Sequence, residues 1–474
     1  MDRLEAVELR FNYVISDNDS FRFDPEYFKK DFIAVDKYLK QFKYLSEISN
    51  TYELHSNGSF ASVFDILHDN EEKIVNYIRS TNVGDFFIDG EMDKISLSAH
   101  NKLIKTQTLE GDILTARTGK VGGASIITKD FVGSNSNQNV VNIRITDNSI
   151  VPLFLVTFLN CKYGINQFIK ASTGNVQPWL NLSLLRKVKI PIFLNNFQLN
   201  IEKLVNLAYS KLEDSKSLYK QSEELLLKEL DLLNFKPSQE KVSIKSFNES
   251  FGESGRLDSE YYQPKYDEII EHIKNVEFDS LYNIVNIKKS IEPGSDAYQE
   301  EGIPFIRVSN LTKFCLSTPD IHLSKDLFDD ELLEVLQPKK DTILLSKDGT
   351  VGIAYNIKNE ADFITSGALL HLTIKKDNVL PEYLTLVLNS IVVQMQSQRD
   401  AGGSIIKHWK PSEIAEVLIP IVDRDIQIQI EEKIKESFKL KEESKQLLEV
   451  AKRAVEIAIE EDELIAMEFI KNNN

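Results

Sequence analysis

Ile113-Leu114-Thr115-Ala116-Arg117-Thr118-Gly119-Lys120-Val121-Gly122 is written again, in altered form, as Ile343-Leu344-Leu345-Ser346-Lys347-Asp348-Gly349-Thr350-Val351-Gly352. In each copy a short apolar run, the pattern of a buried strand, gives way to a cation and a glycine-punctuated loop. Further pairs lie outward from this one, at an offset of about 229 residues. Pro152, Leu155, Leu159 and Asn160 answer to Pro381, Leu384, Leu388 and Asn389, and Glu213, Ser215, Lys216 and Leu218 to Glu442, Ser444, Lys445 and Leu447. Arg22-Phe23-Asp24-Pro25-Glu26-Tyr27-Phe28 returns as Arg256-Leu257-Asp258-Ser259-Glu260-Tyr261-Tyr262, and the only two tryptophans, Trp179 and Trp409, fall at nearly matching places. A period this long is a duplicated domain, since solenoid units are about 20–50 residues. The chain is expected to present two similar surfaces.

With 474 residues, 42% apolar and 27% charged, the chain is long enough for each repeat to bury its own core. Its two cysteines, Cys161 and Cys315, do not match across the repeats, so each is expected to be a small core residue in a reducing, cytoplasmic setting. No apolar run approaches the roughly 20 residues of a membrane span, and no membrane partner is expected. The net charge of −17 weighs against a nucleic-acid binder taken as a sum, but distribution matters more. Acid concentrates at Glu456, Glu460, Glu461, Asp462, Glu463 and Glu468, whereas cations cluster at Arg186-Lys187-Val188-Lys189 and Lys407-His408-Trp409-Lys410.

Each half reads as an irregular α/β region followed by one long helix. Phe197, Ile201, Leu204, Ala208, Ser215, Leu218, Ser222, Leu225 and Leu232 recur at three- and four-residue steps, with two-step gaps across Lys211 and Glu229, in a stretch without Gly or Pro. Ile430, Ile434, Ser437, Ser444, Leu448, Ala451, Val455 and Ala458 repeat the pattern in a helix expected to run from about Ile426 to Ile470. Such spacing marks coiled-coil seams, and two seams in one chain most simply bury each other. The fold class is therefore α+β: two pseudo-symmetric α/β domains, each followed by a long helix, with the helices paired. The expected boundaries are 1–195 and 236–424 for the domains, 196–235 for the first helix, and 425–474 for the second helix and an acidic tail. The stretches Pro152–Lys170 and Pro381–Gln398 read as helices, and small-residue turns follow at Ser172–Asn175 and Ala401–Ser404.

Several chemistries are missing. No Gly-x-x-x-x-Gly-Lys-Ser/Thr loop suggests an ATPase, and no His-Glu-x-x-His or paired Cys-x-x-Cys offers a metal site. The histidines are scattered. A binding protein is favoured over an enzyme, with no catalytic or metal-ligating residues.

The order of strand, cation-glycine loop, small-residue turn and coiled coil, given twice, resembles the specificity subunit of type I restriction-modification enzymes. Gly111-Asp112-Ile113-Leu114 leading to Arg117, Gly119 and Gly122 looks like that family's signature, as do Ser172-Thr173-Gly174 with Gln177, and Arg256-Leu257-Asp258-Ser259-Glu260-Tyr261-Tyr262. The second half departs from the first, with Lys347-Asp348 in place of Arg117-Thr118 and no Gln-Pro after its turn. The resemblance implies two target-recognition domains reading an asymmetric bipartite DNA target and an antiparallel coiled coil as spacer. It also implies docking of two methyltransferase subunits and of restriction-translocase subunits. The chain itself would hold no cofactor and be non-catalytic; its partners would use S-adenosylmethionine, ATP and Mg. The specificity chain of a type IIB-like system is the near alternative, and a coiled-coil scaffold that binds only protein is the alternative from another class.

On that resemblance, the expected DNA contacts are Arg117, Thr118 and Lys120 in the first loop and Lys347 and Thr350 in the second. Arg or Lys would face a guanine edge or a phosphate; a structural turn with a solvated charge is the competing reading. Gln138 and Asn139 carry amides suited to adenine. Gln177, Arg186, Lys187, Lys407, His408 and Lys410 complete the set, as base or phosphate contacts, or simply as charged surface. The two tryptophans are expected to pack in the core. Ile201, Leu204, Leu218, Leu225, Ile430, Ile434, Leu448 and Val455 are expected to form the seam and the subunit-docking helices. The Arg22/Asp24 and Arg256/Asp258 motifs read as structural ion pairs.

Overall fold

The computed structural model describes residues 7–15, 22–119, 121–174, 178–240, 242–252, 254–403 and 406–473. It divides into two units: Met1–Lys211 with Glu442–Asn474, and Leu212–Lys441. The division falls inside both long helices, so each unit contains a stretch of each.

In the first unit the repeated strand Ile113–Ala116 lies mid-sheet. It pairs antiparallel with Val140–Ile145 on one side and Ser125–Ile126 on the other. Ser49–Tyr52 continues the sheet beyond Val140–Ile145, and Phe86–Phe87 beyond Ser125–Ile126. Ile113, Leu114, Val140, Val141 and Ile143 are all buried, so the unbroken apolar run reflects a strand covered on both faces. The second unit repeats this order with Val285–Lys289, Leu369–Ile374, Ile343–Ser346 and Ala354–Asn356. A smaller sheet accompanies each: Asp93–Ser96, Lys73–Ile78 and Asn135–Ser136 in the first, and Tyr298–Gln299, His322–Leu323, Ile303–Ile306 and Ile364–Thr365 in the second.

The helical stretch after each sheet is broken in two, as Pro152–Asn160 and Lys162–Lys170, then Pro381–Asn389 and Ile391–Asp400. Cys161 (ψ 168°) and Ser390 (ψ 167°) are extended at the breaks. In the first unit the second helix comes so close to the first that a Cβ on Gly164 would lie 2.2 Å from the Phe158 carbonyl oxygen.

Three amides hold each unit together, and they recur at the repeat spacing. Asn160 accepts from the Ala124 N–H at 2.9 Å and donates to the Ala124 carbonyl at 2.8 Å. Asn389 does the same to Ala354, at 3.0 and 2.8 Å. Gln167 grips both backbone groups of Lys189, and Gln396 both of Leu418. At the start of the long helices, Gln198 accepts from Val151 and donates to Phe193 and Ser149, while Gln427 accepts from Leu380 and donates to Val422 and Asn378. Each satisfies backbone groups that no ladder reaches.

The long helices are Asn195–Glu229 and Arg424–Glu460. They pair antiparallel through small side chains. Within the first unit Ser444 Oγ donates to the Ala208 carbonyl at 2.7 Å; within the second Ser437 Oγ donates to the Ser215 carbonyl at 2.7 Å. One heptad forward on one helix is thus one heptad back on the other, the register of an antiparallel seam. Of the expected seam residues, Ile201, Leu204, Ile430, Ile434 and Val455 are buried, whereas Leu218, Leu225 and Leu448 are half-buried. Tyr219 and Leu226, one position further on, are buried in the second unit's core instead.

Two expectations are corrected. The second long helix stops at Glu460, and a separate helix, Glu463–Asn473, begins where Asp462 Oδ1 accepts the N–H groups of Leu464 and Ile465, an N-cap that ends the longer run. Cys315 is exposed in a turn built on Thr312, and only Cys161 is a buried core residue. Among the described residues, no helix is long and apolar enough to cross a membrane.

Candidate nucleic-acid interface

In the first unit the strand Ile113–Ala116 delivers Arg117 to the sheet end. Its N–H donates to the Asn139 carbonyl at 2.8 Å and its own carbonyl accepts from Leu180 at 2.8 Å. Thr118 bridges to Trp179. Gly119 (φ 81°) turns the chain back in a conformation that a side chain would oppose. Arg117, Thr118, Asn139 and Trp179 are therefore brought together, with the exposed Gln138 beside Asn139. Arg117 is only 8% exposed. Its guanidinium is ion-paired with Glu53 and lies 4.5 Å from the centre of the Trp179 ring. Nε has no hydrogen-bond partner among the described residues. Burial holds the group below its ordinary pKa. The solvated charge of the simplest reading is not what the loop contains.

The second unit reproduces the backbone of this site. Lys347 follows Ile343–Ser346, and its carbonyl accepts from Trp409 at 2.8 Å. Asp348 and Gly349 pair with His408 and Lys407. Lys347 Nζ is paired with Asp348, which also takes His408 Nδ1 at 2.8 Å. Burial pushes the Asp348 carboxyl up, but the bonds from Lys347 and His408 outweigh it and keep it below the usual range. Thr350, Lys407, His408 and Lys410 are all exposed around this loop. Lys410 reaches Glu413 at 3.2 Å, and an open groove runs between Arg256, Gly403, His408 and Lys410.

These hydrogen bonds show that the two tryptophans are not equivalent. Leu180 and Trp409 bond to the cation's carbonyl, so Trp179 corresponds to His408 and Trp409 to Leu180. One step along an extended segment reverses the face. Trp409 is 1% exposed and packs in the core, as expected; Trp179 is 40% exposed, and the expectation that it packs there fails.

The remaining cations lie farther along the first unit. Arg186 is exposed and donates Nε to Thr51 Oγ1 at 2.9 Å, at the end of the strand that leads to Glu53. Lys187 is exposed too, beside Lys189, which pairs with Asp36 at 2.8 Å. Lys120 and Gln177 lie outside the described residues. The Arg22 and Arg256 motifs are ion pairs: each guanidinium forks onto its own Asp24 or Asp258, and a further N–H goes to the carbonyl of Ser172 or Asp400. Glu53 was not among the expected site residues. Its partner comes from a distant strand, and the second repeat supplies its carboxylate from another position.

Residues 271–452 match the family described as the type I restriction modification DNA specificity domain. The match lies within the second half of the chain. That stretch includes the second loop at Lys347 but none of the first-half motifs. Among solved structures, the S subunit of a type I restriction-modification system from M. genitalium is similar at 13% identity, with a TM-score of 0.37, over 90% of this chain and 94% of that one. The HsdS subunit from Thermoanaerobacter tengcongensis gives 14% identity and a TM-score of 0.28, over 89% and 97%. Neither likeness is high enough to add weight to the family match. No curated protein matches this chain.

Proposed function

We propose that this chain is the non-catalytic specificity subunit of a type I restriction-modification enzyme. The match of residues 271–452 to the DNA specificity domain carries the reading. The first repeat is drawn in by what it shares with the second: the sheet order, the paired amides and a loop cation whose carbonyl is held at 2.8 Å in both. Two readers on one chain suit a bipartite target, much as paired readers meet paired half-sites. Because Arg117 and Thr118 stand where the second unit has Lys347 and Asp348, the two half-sites differ in sequence. The contact set is Arg117, Thr118, Gln138, Asn139, Trp179, Arg186 and Lys187 in the first unit, with Lys120 and Gln177 added from the sequence alone. In the second it is Lys347, Thr350, Lys407, His408 and Lys410. Methyltransferase subunits dock on the long helices, and methylation, translocation and cleavage, with S-adenosylmethionine, ATP and Mg, belong to partner chains.

The test is binding to duplex DNA across a salt series, by the chain assembled with methyltransferase partners from its own source. The reading expects nanomolar-range affinity for one sequence and salt-sensitive, weaker binding to all others. No DNA affinity in any partner context would leave the protein-only scaffold as the better account.

A further inference from the structure

In both units the cation that opens the recognition loop is already met by a carboxylate of the same unit. Arg117 is paired with Glu53 beneath Trp179, and Lys347 is paired with Asp348 beside His408. The backbone that presents each cation is held alike, yet the counter-charge is not inherited with it. Glu53 follows the strand Ser49–Tyr52, a separate part of the sheet, whereas Asp348 is the cation's immediate neighbour in the loop. The corresponding residue in the first loop is Thr118, which carries no charge. A pairing needed only by the fold would keep one source of the carboxylate in both copies. Here the source changes and the neutralised cation remains.

We propose that Glu53 and Asp348 are specificity-determining residues. Each occupies its loop cation in the unbound protein and releases it only to a base edge. The inference rests on the function proposed above. To take Arg117 from Glu53, a DNA site must also face the carboxylate left behind, and like charges set against one another suppress wrong partners. A backbone phosphate of any sequence can also take the guanidinium fork, but it brings a full negative charge up to the carboxylate left behind. A guanine offers O6 and N7 in the geometry of the guanidinium fork. The carboxylate therefore raises the cost of binding random sequence more than that of binding the target, which is discrimination built from repulsion. It also places acid at a DNA-reading surface for a reason, in a chain whose net charge is −17.

The experiment compares wild type and Glu53→Gln, each as the full chain assembled with its methyltransferase subunits, on the target found by methylation mapping and on a random duplex. Glu53→Gln is expected to tighten random-duplex binding by about tenfold and target binding by far less, so that the specificity ratio falls. Its random-duplex salt slope is expected to steepen by about 0.9, the value of one additional phosphate contact. A purely structural carboxylate would not move that slope. Asp348→Asn, in the other unit, makes the same test if Glu53→Gln fails to assemble. Unchanged slopes, or affinities for target and random duplex that fall together, would overturn the inference while the function stands. A wild-type complex with no preference for its own methylated sequence would overturn the function, and this inference with it.

Discussion

At the scale of single residues, one step in register separates a core tryptophan from a surface one. Trp409→Ala removes a fully buried ring and is expected to cost about 3–5 kcal/mol in denaturant unfolding. Trp179→Ala should cost far less stability, because its ring is partly in solvent, and should instead weaken DNA binding by loosening the cover over Arg117. Equal losses of stability would contradict the inequivalence. Arg117→Ala is expected to weaken target binding by about 1–3 kcal/mol and relax preference at one position of one half-site. A uniform loss across sequences would mark a phosphate contact instead. His371 gives a pH signature: it is buried, with Nε2 at 2.8 Å from Thr365 Oγ1, and burial lowers its pKa to about 4. Its folded pKa lies below the unfolded one near 6.5, so its neutral form supports the fold above pH ~6.5, and that support is lost as pH falls toward 4. Wild type should lose on the order of 2 kcal/mol at pH 5 relative to His371→Gln. Parallel pH profiles would refute this. The cation and glycines of each loop were legible in the motif, because strand-to-loop punctuation is local. Glu53 and the outward face of Trp179 were not, since both depend on which strand lies alongside.

At the scale of elements, the repeat was legible because its apolar periodicity survives substitution, and the strands and long helices appear close to where that periodicity places them. The helix breaks at Cys161, Ser390 and Asp462 were hidden, since none of these positions is Pro or Gly and only Asp462 marks its break with a side-chain cap. The repeated amides were visible as matching letters, but nothing local says that Gln198 and Gln427 reach across to loops before the preceding helices. Gln427→Ala leaves the Leu380 N–H and the Val422 and Asn378 carbonyls without their partner, a loss of about 1–3 kcal/mol. A chemical-denaturation midpoint identical to wild type would deny the amide that role. In the seam, Ser437→Leu should overpack the approach to Ser215 by about 1–3 kcal/mol, whereas Ser437→Ala, losing one bond, should cost about 0.5–1.5. If Leu proved the more stable, the small residues would not mark a close approach.

At the scale of the whole molecule, one ancestral plan is used twice and altered where it would face DNA. The sheet order, the amides and the Arg-Asp forks persist, while Arg117-Thr118 and Lys347-Asp348 diverge along with the surface beside them. The acidity that weighs against nucleic-acid binding as a sum is partly absorbed within the first unit, where Glu456 accepts from the Lys162 N–H, Glu460 pairs with Lys162, and Glu463 accepts from the Leu194 N–H. The central claim is that the two halves read DNA separately. Its most direct measurement is single-molecule mapping of methylated sites made by the assembled complex before and after residues 1–195 are replaced by the corresponding region of a related chain. The account predicts a two-part asymmetric target in which the exchange rewrites one part and leaves the other unaltered. Changes in both parts, or a target with no division into two, would contradict it.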